Sequence, residues 1–315
     1  MSLNIGFVMD DINAINTKKD TSFAMMLEAQ SRGHNVYYMQ IEDLTINNGV
    51  PFAKVCQVSL QDQPTDYYKI VETKTIPMEQ MHAILMRKDP PFDSQFLYAT
   101  QILELAENRG SLIVNKPQAL RDFNEKLFTS LYPELIPDTL VTADATQIRA
   151  FHSMHGDIIC KPLDGMGGTS IFRVKTDGLN LGVVIEILTN KGQRHAMFQR
   201  FVPEITDGDK RVLIVNGEVM PYCLARLPAK NETRGNLAAG GTGRAQEVTE
   251  SELAVAQEVA KDMVEKGILF VGLDMIGDRI TEINITSPTC VREIEAAYPI
   301  NICAKLFDAI EQRVN

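Results

Sequence analysis

The chain of 315 residues is predicted to be an α/β protein of two or three domains. Its first third alternates apolar runs with amphipathic stretches, the grammar of a parallel sheet with crossover helices. Beyond Pro133 and Pro137 the runs shorten and are joined by glycine loops and an Asn-Gly turn. Near the C-terminus, oxygen-bearing side chains interrupt two apolar runs that otherwise read as a buried hairpin.

Residues 3–9 are an apolar run, and a helix is predicted from Thr21, capped by Asp20 and stopped at Gly33. Strands follow at 35–39, 82–86 and 111–115, with a helix over 94–109 closed by Gly110. Residues 47–77 show no clear period and receive no assignment. A helix is predicted over 121–130. A strand–helix–strand passage then ends at 157–161, followed by a glycine loop at 164–170 and a strand at 171–175. A helix at 180–189 and a strand at 195–201 come next. Asn216-Gly217 marks a hairpin turn between 211–215 and 218–222. Residues 228–243, rich in Gly, Ala, Asn and Thr, read as a mobile loop. Thr249 and Glu252 form a capping box opening a helix to Lys266, and 302–314 is a closing helix.

A composition of 44% hydrophobic and 23% charged residues is that of an ordinary soluble globular protein. The net charge of −10 argues against nucleic acid or an anionic membrane as partner. Five scattered cysteines (56, 160, 223, 290 and 303), never spaced as CxxC, fit reduced thiols in the cytoplasm. The N-terminus has no signal-peptide character, and no apolar run is long enough to cross a bilayer.

In Leu273-Asp-Met-Ile-Gly-Asp-Arg-Ile-Thr-Glu-Ile-Asn-Ile285, the side chains of Asp274, Glu282 and Asn284 offer hard oxygen donors without His or thiolate beside them. That set suits Mg²⁺ shared with phosphate oxygens; the other reading is a half-exposed strand with a wet polar face. A two-residue Gly277-Asp278 turn on a regular ladder would set Asp274 opposite Thr281, facing away from Glu282. The metal reading therefore requires an odd-length loop or a bulge.

Lys161-Pro-Leu-Asp-Gly-Met-Gly-Gly-Thr-Ser170 is a glycine loop between strands, with no Walker GxxxxGK[ST] pattern. Gly165, Gly167 and Gly168 would let backbone N–H groups approach an anion, with hydroxyls from Thr169 and Ser170 and the Lys161 ammonium at the foot. Taken alone it reads also as a plain hairpin loop with a solvated lysine. Lys126, Arg226, Arg234, Asn236 and the run Asp209-Lys-Arg211 are, one by one, candidate surface charges or ligand contacts. Gln199-Arg200-Phe201-Val202 closes a strand whose exposed backbone could read a planar base. Met86-Arg-Lys-Asp-Pro-Pro-Phe-Asp93 follows a parallel strand, where open α/β sheets bind ligands, and Arg87 and Lys88 could hold a carboxylate. The N-terminal unit lacks GxGxxG, so the dinucleotide reading loses its fingerprint and a nicotinamide dehydrogenase stands third among the alternatives; the five histidines lie in no motif. The joint reading is a nucleotide held between two sheets, and phosphoryl transfer by positioning and electrostatics.

Lys116-Pro-Gln-Ala-Leu-Arg-Asp-Phe-Asn-Glu-Lys-Leu-Phe128, the Lys161–Gly168 loop, Arg234-Gly-Asn-Leu-Ala-Ala-Gly-Gly241 and Thr281-Glu-Ile-Asn-Ile-Thr-Ser-Pro-Thr289 together resemble bacterial glutathione synthetase, of the ATP-grasp superfamily. Met86–Asp93 and Asp20-Thr-Ser-Phe-Ala-Met25 extend the likeness into the first third. The resemblance implies an ATP-grasp fold after a Rossmann-like domain, divided at 1–122, 123–203 and 204–315. It implies ligation of γ-glutamylcysteine to glycine through an acyl phosphate, giving ADP and phosphate. Lys126 and Lys161 would contact ATP phosphates with the 165–170 flap, Gln199 to Val202 adenine, and Asp209 the ribose. Asp274, Glu282 and Asn284 would bind two Mg²⁺ or Mn²⁺ ions. Arg211 and Arg226 would neutralise the acyl phosphate, while Arg234 and Asn236 sit in a loop that closes over it. Arg87, Lys88, Asp89, Ser287, Pro288, Thr289 and Arg292 would hold peptide and glycine. A cytoplasmic homo-oligomer, dimer or tetramer, is also implied. The competing readings are a D-alanine–D-alanine or glutamate-adding ligase of the same superfamily, and a non-catalytic ATP-binding regulatory module.

Overall fold

The computed structural model describes residues 2–230, 232–237 and 240–314. The chain opens with β1 (Asn4–Val8), α1 (Thr21–Ser31), β2 (Asn35–Met39), β3 (Leu44–Asn47), β4 (Val50–Leu60) and β5 (Tyr68–Pro77). It continues with β6 (Ala83–Met86), α2 (Ser94–Glu107), β7 (Leu112–Val114) and α3 (Pro117–Asp122). Strands β2, β1, β6 and β7 run parallel in that order, as the alternation of apolar runs and helices demands. The Asp20 carboxylate accepts the Phe23 N–H at 2.6 Å and starts α1.

The sheet is mixed: the strands expected from the sequence pair in parallel, and others join them. The unassigned stretch supplies β3, β4 and β5, all antiparallel, with β4 pairing β2, β3 and β5. Two physical causes hide them. The period of β4 slips at an irregularity between Gln57 and Val58, and β5 is an edge strand whose Lys69, Ile70, Val71 and Glu72 are all exposed.

Next come β8 (Thr139–Thr142), α4 (Ala145–His155), β9 (Ile158–Pro162), β10 (Phe172–Val174), α5 (Leu181–Leu188) and β11 (Ala196–Arg200). Their four strands make an antiparallel sheet in the order β10-β9-β11-β8. The last unit holds β12 (Asp209–Val215), β13 (Glu218–Leu227), β14 (Thr242–Glu247), α6 (Glu250–Met263), β15 (Phe270–Ile276), β16 (Arg279–Asn284), α7 (Val291–Ala297) and α8 (Ile302–Val314). Its sheet runs β14-β13-β12-β15-β16. The Thr249–Glu252 capping box forms, and Asn216 and Gly217 take φ 50° and 78°, the mirror-image turn that a tight hairpin favours.

The helix expected over 121–130 is broken. The first helix ends at Asp122 and a 3₁₀ turn resumes at Leu127. Between them the Asn124 side chain accepts the Lys126 and Leu127 N–H groups, replacing helical partners.

The four-stranded unit has a core of its own, including Ile148, Ile158, Cys160, Val184 and Phe198. The two larger sheets instead share their cores: Phe7 and Phe23 lie in one apolar cluster with Phe270 and Phe307. The buried Asn115 side chain bolts these units together. It donates to Phe270 O and Ile285 O, both at 2.7 Å, and accepts from Leu269 N and Phe270 N. Among the described residues no helix is long and apolar enough to cross a membrane.

Candidate active site

Cross-strand partners share a face, so the register of the five-stranded sheet builds a charged row. Arg211 on β12 stands opposite Asp274 on β15, and Asp274 opposite Glu282 on β16. One pair along, Asp209 stands opposite Arg226. The turn is the two-residue Gly277-Asp278 loop, and the required bulge is present. Met275 pairs Ile280 but Asp274 pairs Glu282, so Thr281 is the extra residue and both Thr281 and Glu282 reach the cleft.

Asp274, 2% exposed, receives Arg211 Nε at 2.5 Å and Arg226 Nη2 at 2.8 Å. Burial pushes its carboxyl up, but the two guanidinium groups outweigh that and hold it at about 2. Burial pushes Asp209 up to about 6 against the pull of Arg226, and its Oδ1 is buried with no partner. Gly272 makes room for this cluster: a Cβ there would lie 2.8 Å from Arg211 Cδ and 3.0 Å from Pro288 Cβ.

The opposite wall comes from β9, β11 and the glycine loop. Lys161 Nζ donates to Thr281 O at 3.0 Å, and burial pushes its ammonium down to about 8. Lys126 Nζ reaches Glu282 at 2.8 Å and Gly165 O at 2.6 Å, joining the two walls. Burial opposes that ammonium, and Glu282, Glu125 and Asp274 outweigh it, raising its pKa. Arg234 Nη1 donates to Gly168 O at 3.0 Å, bringing the predicted loop over the glycines. Of that loop, Asn231, Ala238 and Ala239 lie outside the described residues.

These groups line a cleft of about 850 Å³, with Gly165, Gly167, Gly168, Thr169, Gln199, Arg200, Phe201 and Val202 among its walls. A second cleft of about 800 Å³ holds Asp89, Arg211, Arg226, Asn284, Ser287 and Thr289, together with Cys290. Met166, Gly167, Asn236, Asp274 and Glu282 belong to both.

Four expected ligand residues are engaged elsewhere. Arg87 is buried: Nε donates to Ser22 and Nη2 to Pro288 O at 2.7 Å, so it ties the first sheet to the 287–290 turn, with Ser287 donating back to Arg87 O. Lys88 pairs with Asp10 at 2.7 Å. Arg292 pairs with Asp62 at 2.8 Å in a separate groove, with its guanidinium over Phe23. Arg200 is exposed and pairs with Asp138. Each has an acceptor or carboxylate from a segment distant in the chain, which no local pattern reveals. Ser170, at φ 57°, and Pro288 line neither of the two clefts, although Pro288 O takes the Arg87 bond. Residues overlooked in the sequence are Asn115, which lies in no motif, and Asn124 and Glu125, which flank Lys126 within the Lys116–Phe128 segment.

The donor set fits a hard cation. Asp274, Glu282 and Asn284 give two carboxylates and an amide, and the Asn284 Nδ2 donates to Gly272 O, leaving Oδ1 for a ligand. Among the described residues no group of three or more His, Cys, Asp or Glu could hold a metal.

Two sheets facing across a cleft, a glycine flap with lysines and an acidic row opposite are the arrangement of an ATP-grasp protein. Solved structures share the fold. The crystal structure of D-cycloserine synthetase DcsG superposes at a TM-score of 0.68 with 13% identity, covering 99% of this chain and 100% of that one. ATP-grasp ligase PsnB with a minimal precursor, Mg and ADP gives 0.61 and 18%, covering 98% and 97%. Residues 3–121 match the prokaryotic glutathione synthetase N-terminal domain, and 125–299 the prokaryotic glutathione synthetase ATP-grasp domain. The glutathione synthetase of Vibrio parahaemolyticus serotype O3:K6 is 59% identical over 312 residues, 99% of each chain. That of Escherichia coli O127:H6 is 55% identical over 312 residues, again 99% of each. The chain belongs to the prokaryotic glutathione synthetase family.

Proposed function

We propose that this chain joins γ-glutamylcysteine to glycine, converting ATP to ADP and phosphate. The observation that carries the reading is the wall common to both clefts, where Asp274 and Glu282 face the glycine flap on one side and an arginine-lined cleft on the other. A cysteinyl carboxylate oxygen attacks the γ-phosphorus and the bond to ADP breaks. The glycine amine then attacks the acyl carbon, loses a proton and expels phosphate.

Lys126, Lys161 and the flap N–H groups hold and orient the triphosphate. The Gln199–Val202 strand end receives adenine, and the unpartnered Asp209 Oδ1 suits a ribose hydroxyl. Asp274, Glu282 and Asn284 hold two Mg²⁺ or Mn²⁺ ions, which when bound neutralise phosphate charge. Arg211 and Arg226 stabilise the acyl phosphate. Arg234 and Asn236 close the loop and keep water out. Asp89, Ser287 and Thr289 line the peptide and glycine cleft, and Arg87, bonded to Pro288 O, anchors the turn that carries them, while Lys88 and Arg292 are paired with Asp10 and Asp62. The three-part division at 1–122, 123–203 and 204–315 belongs to this reading, as do a cytoplasmic location and a homo-oligomer.

The test is phosphate release with γ-glutamylcysteine and glycine, each omitted in turn. Release only with both present supports the reading. Release with D-alanine or with glutamate acceptors, or nucleotide binding without turnover, refutes it.

A further inference from the structure

β16 ends its sheet, so its outer N–H groups have no neighbouring strand. Glu125 takes that place. Its backbone carbonyl accepts the Ile283 N–H at 2.9 Å, and its Oε1 accepts Ile285 N–H, Thr286 N–H and Thr286 Oγ1 at 2.8, 2.9 and 2.8 Å. These four bonds bracket Asn284 on both sides. The residues flanking Glu125 reach the other wall. Asn124 Nδ2 donates to Leu163 O at 3.0 Å, where β9 gives way to the flap, and Lys126 spans Gly165 O and Glu282. One tripeptide therefore sets the metal-side strand and the phosphate-side loop at a fixed separation.

We infer that Glu125 is a positioning residue that fixes Asn284 against Lys126 and the glycine flap, and so sets the geometry in which a divalent cation and its nucleotide are held. The inference rests on the metal assignment above. Nothing in the three side-chain bonds requires charge at Glu125; they require an acceptor oxygen in one place. Residues that orient metal ligands typically change metal affinity about 10–100-fold when removed.

The experiment measures turnover against Mg²⁺ concentration, with thermal unfolding alongside, for Glu125→Ala, Glu125→Gln, Asn284→Ala and the double variant Glu125→Ala/Asn284→Ala. Glu125→Ala is expected to raise the half-saturating Mg²⁺ about tenfold or more. Glu125→Gln keeps the acceptor and stays within about threefold of the native chain, and the double variant is no worse than Asn284→Ala, since both act through one ligand. Thr286→Val, which removes a single donor, moves Mg²⁺ dependence in the same direction and serves if Glu125→Ala does not fold. The inference is overturned if Glu125→Ala scales turnover down at unchanged Mg²⁺ dependence, or if the two losses multiply. Unchanged Mg²⁺ dependence in Asn284→Ala sinks the metal assignment instead.

Discussion

Asp274 stands directly opposite Glu282 only because Thr281 is the extra residue of a bulge in β16. On a regular ladder Glu282 would point to the opposite face. The bulge also lets Ile280 and Ile283 both be buried while Thr281 and Glu282 stay at the cleft.

The two carboxylates are expected to differ in what they support. Glu282 is partly exposed and paired with Lys126, so Glu282→Gln should fold normally and lose turnover by on the order of 10²-fold or more. Asp274→Asn leaves Arg211 and Arg226 buried without their shared countercharge, and should cost about 3–5 kcal/mol of stability besides activity. Urea denaturation and phosphate release on both variants decide it. Near-normal turnover in Glu282→Gln removes the metal assignment.

Lys161 gives a pH dependence with a definite sign. Its folded value of about 8 lies below the ordinary 10.5, because burial disfavours the ammonium. Between those values the unfolded chain holds a proton that the folded chain has released, so stability of the free protein should rise with pH there. The destabilisation is complete below about 8. Lys161→Met should flatten that rise, and a flat profile in the native chain would refute the account. Triphosphate at Lys161 restores the proton, so nucleotide binding near pH 8 should take up protons, measurable by calorimetry in buffers of different ionisation enthalpy.

Gly168 has φ +82°, and a Cβ there would lie 2.7 Å from Asn236 Oδ1 and 3.2 Å from Arg234 Cδ. Gly168→Ala should therefore displace the loop from the flap. The expected result is a several-fold rise in KM for ATP with little change in Tm, since the flap adds little to any core. Unchanged nucleotide kinetics would show that the contact does not matter to binding.

How much was legible follows from how local each signal is. The hairpin is legible in the Gly277-Asp278 turn between two apolar runs, and the need for a bulge in the parity that would otherwise turn Asp274 away from Glu282. The flap glycines and Asp20 cap were equally local. Arg211 beside Asp274 was not, because β12 pairs β15 across two intervening strands. Lys126 was assigned to a helix that Asn124 interrupts with its own side chain. Arg87, Lys88 and Arg292 looked free only because Pro288 O, Asp10 and Asp62 arrive from distant segments.

Asn115 makes the last and most demanding case, being far in sequence from everything it holds. Its side chain satisfies two N–H groups and two carbonyls on β15, its approach, and the residue after β16, the strands that carry Asp274 and Glu282. Asn115→Ala strands all four, and each buried group left unpaired costs about 1–3 kcal/mol before relaxation, so a net loss of about 3–5 kcal/mol is expected. Asn115→Asp can accept the two N–H bonds but turns a carboxylate toward Phe270 O and Ile285 O. That raises its folded pKa above the unfolded one, so the variant should be least impaired in mild acid and lose stability as pH rises. Denaturant midpoints at pH 5 and pH 8 measure it. A loss below about 1 kcal/mol in Asn115→Ala would mean that the shared apolar core, rather than this amide, joins the two sheets.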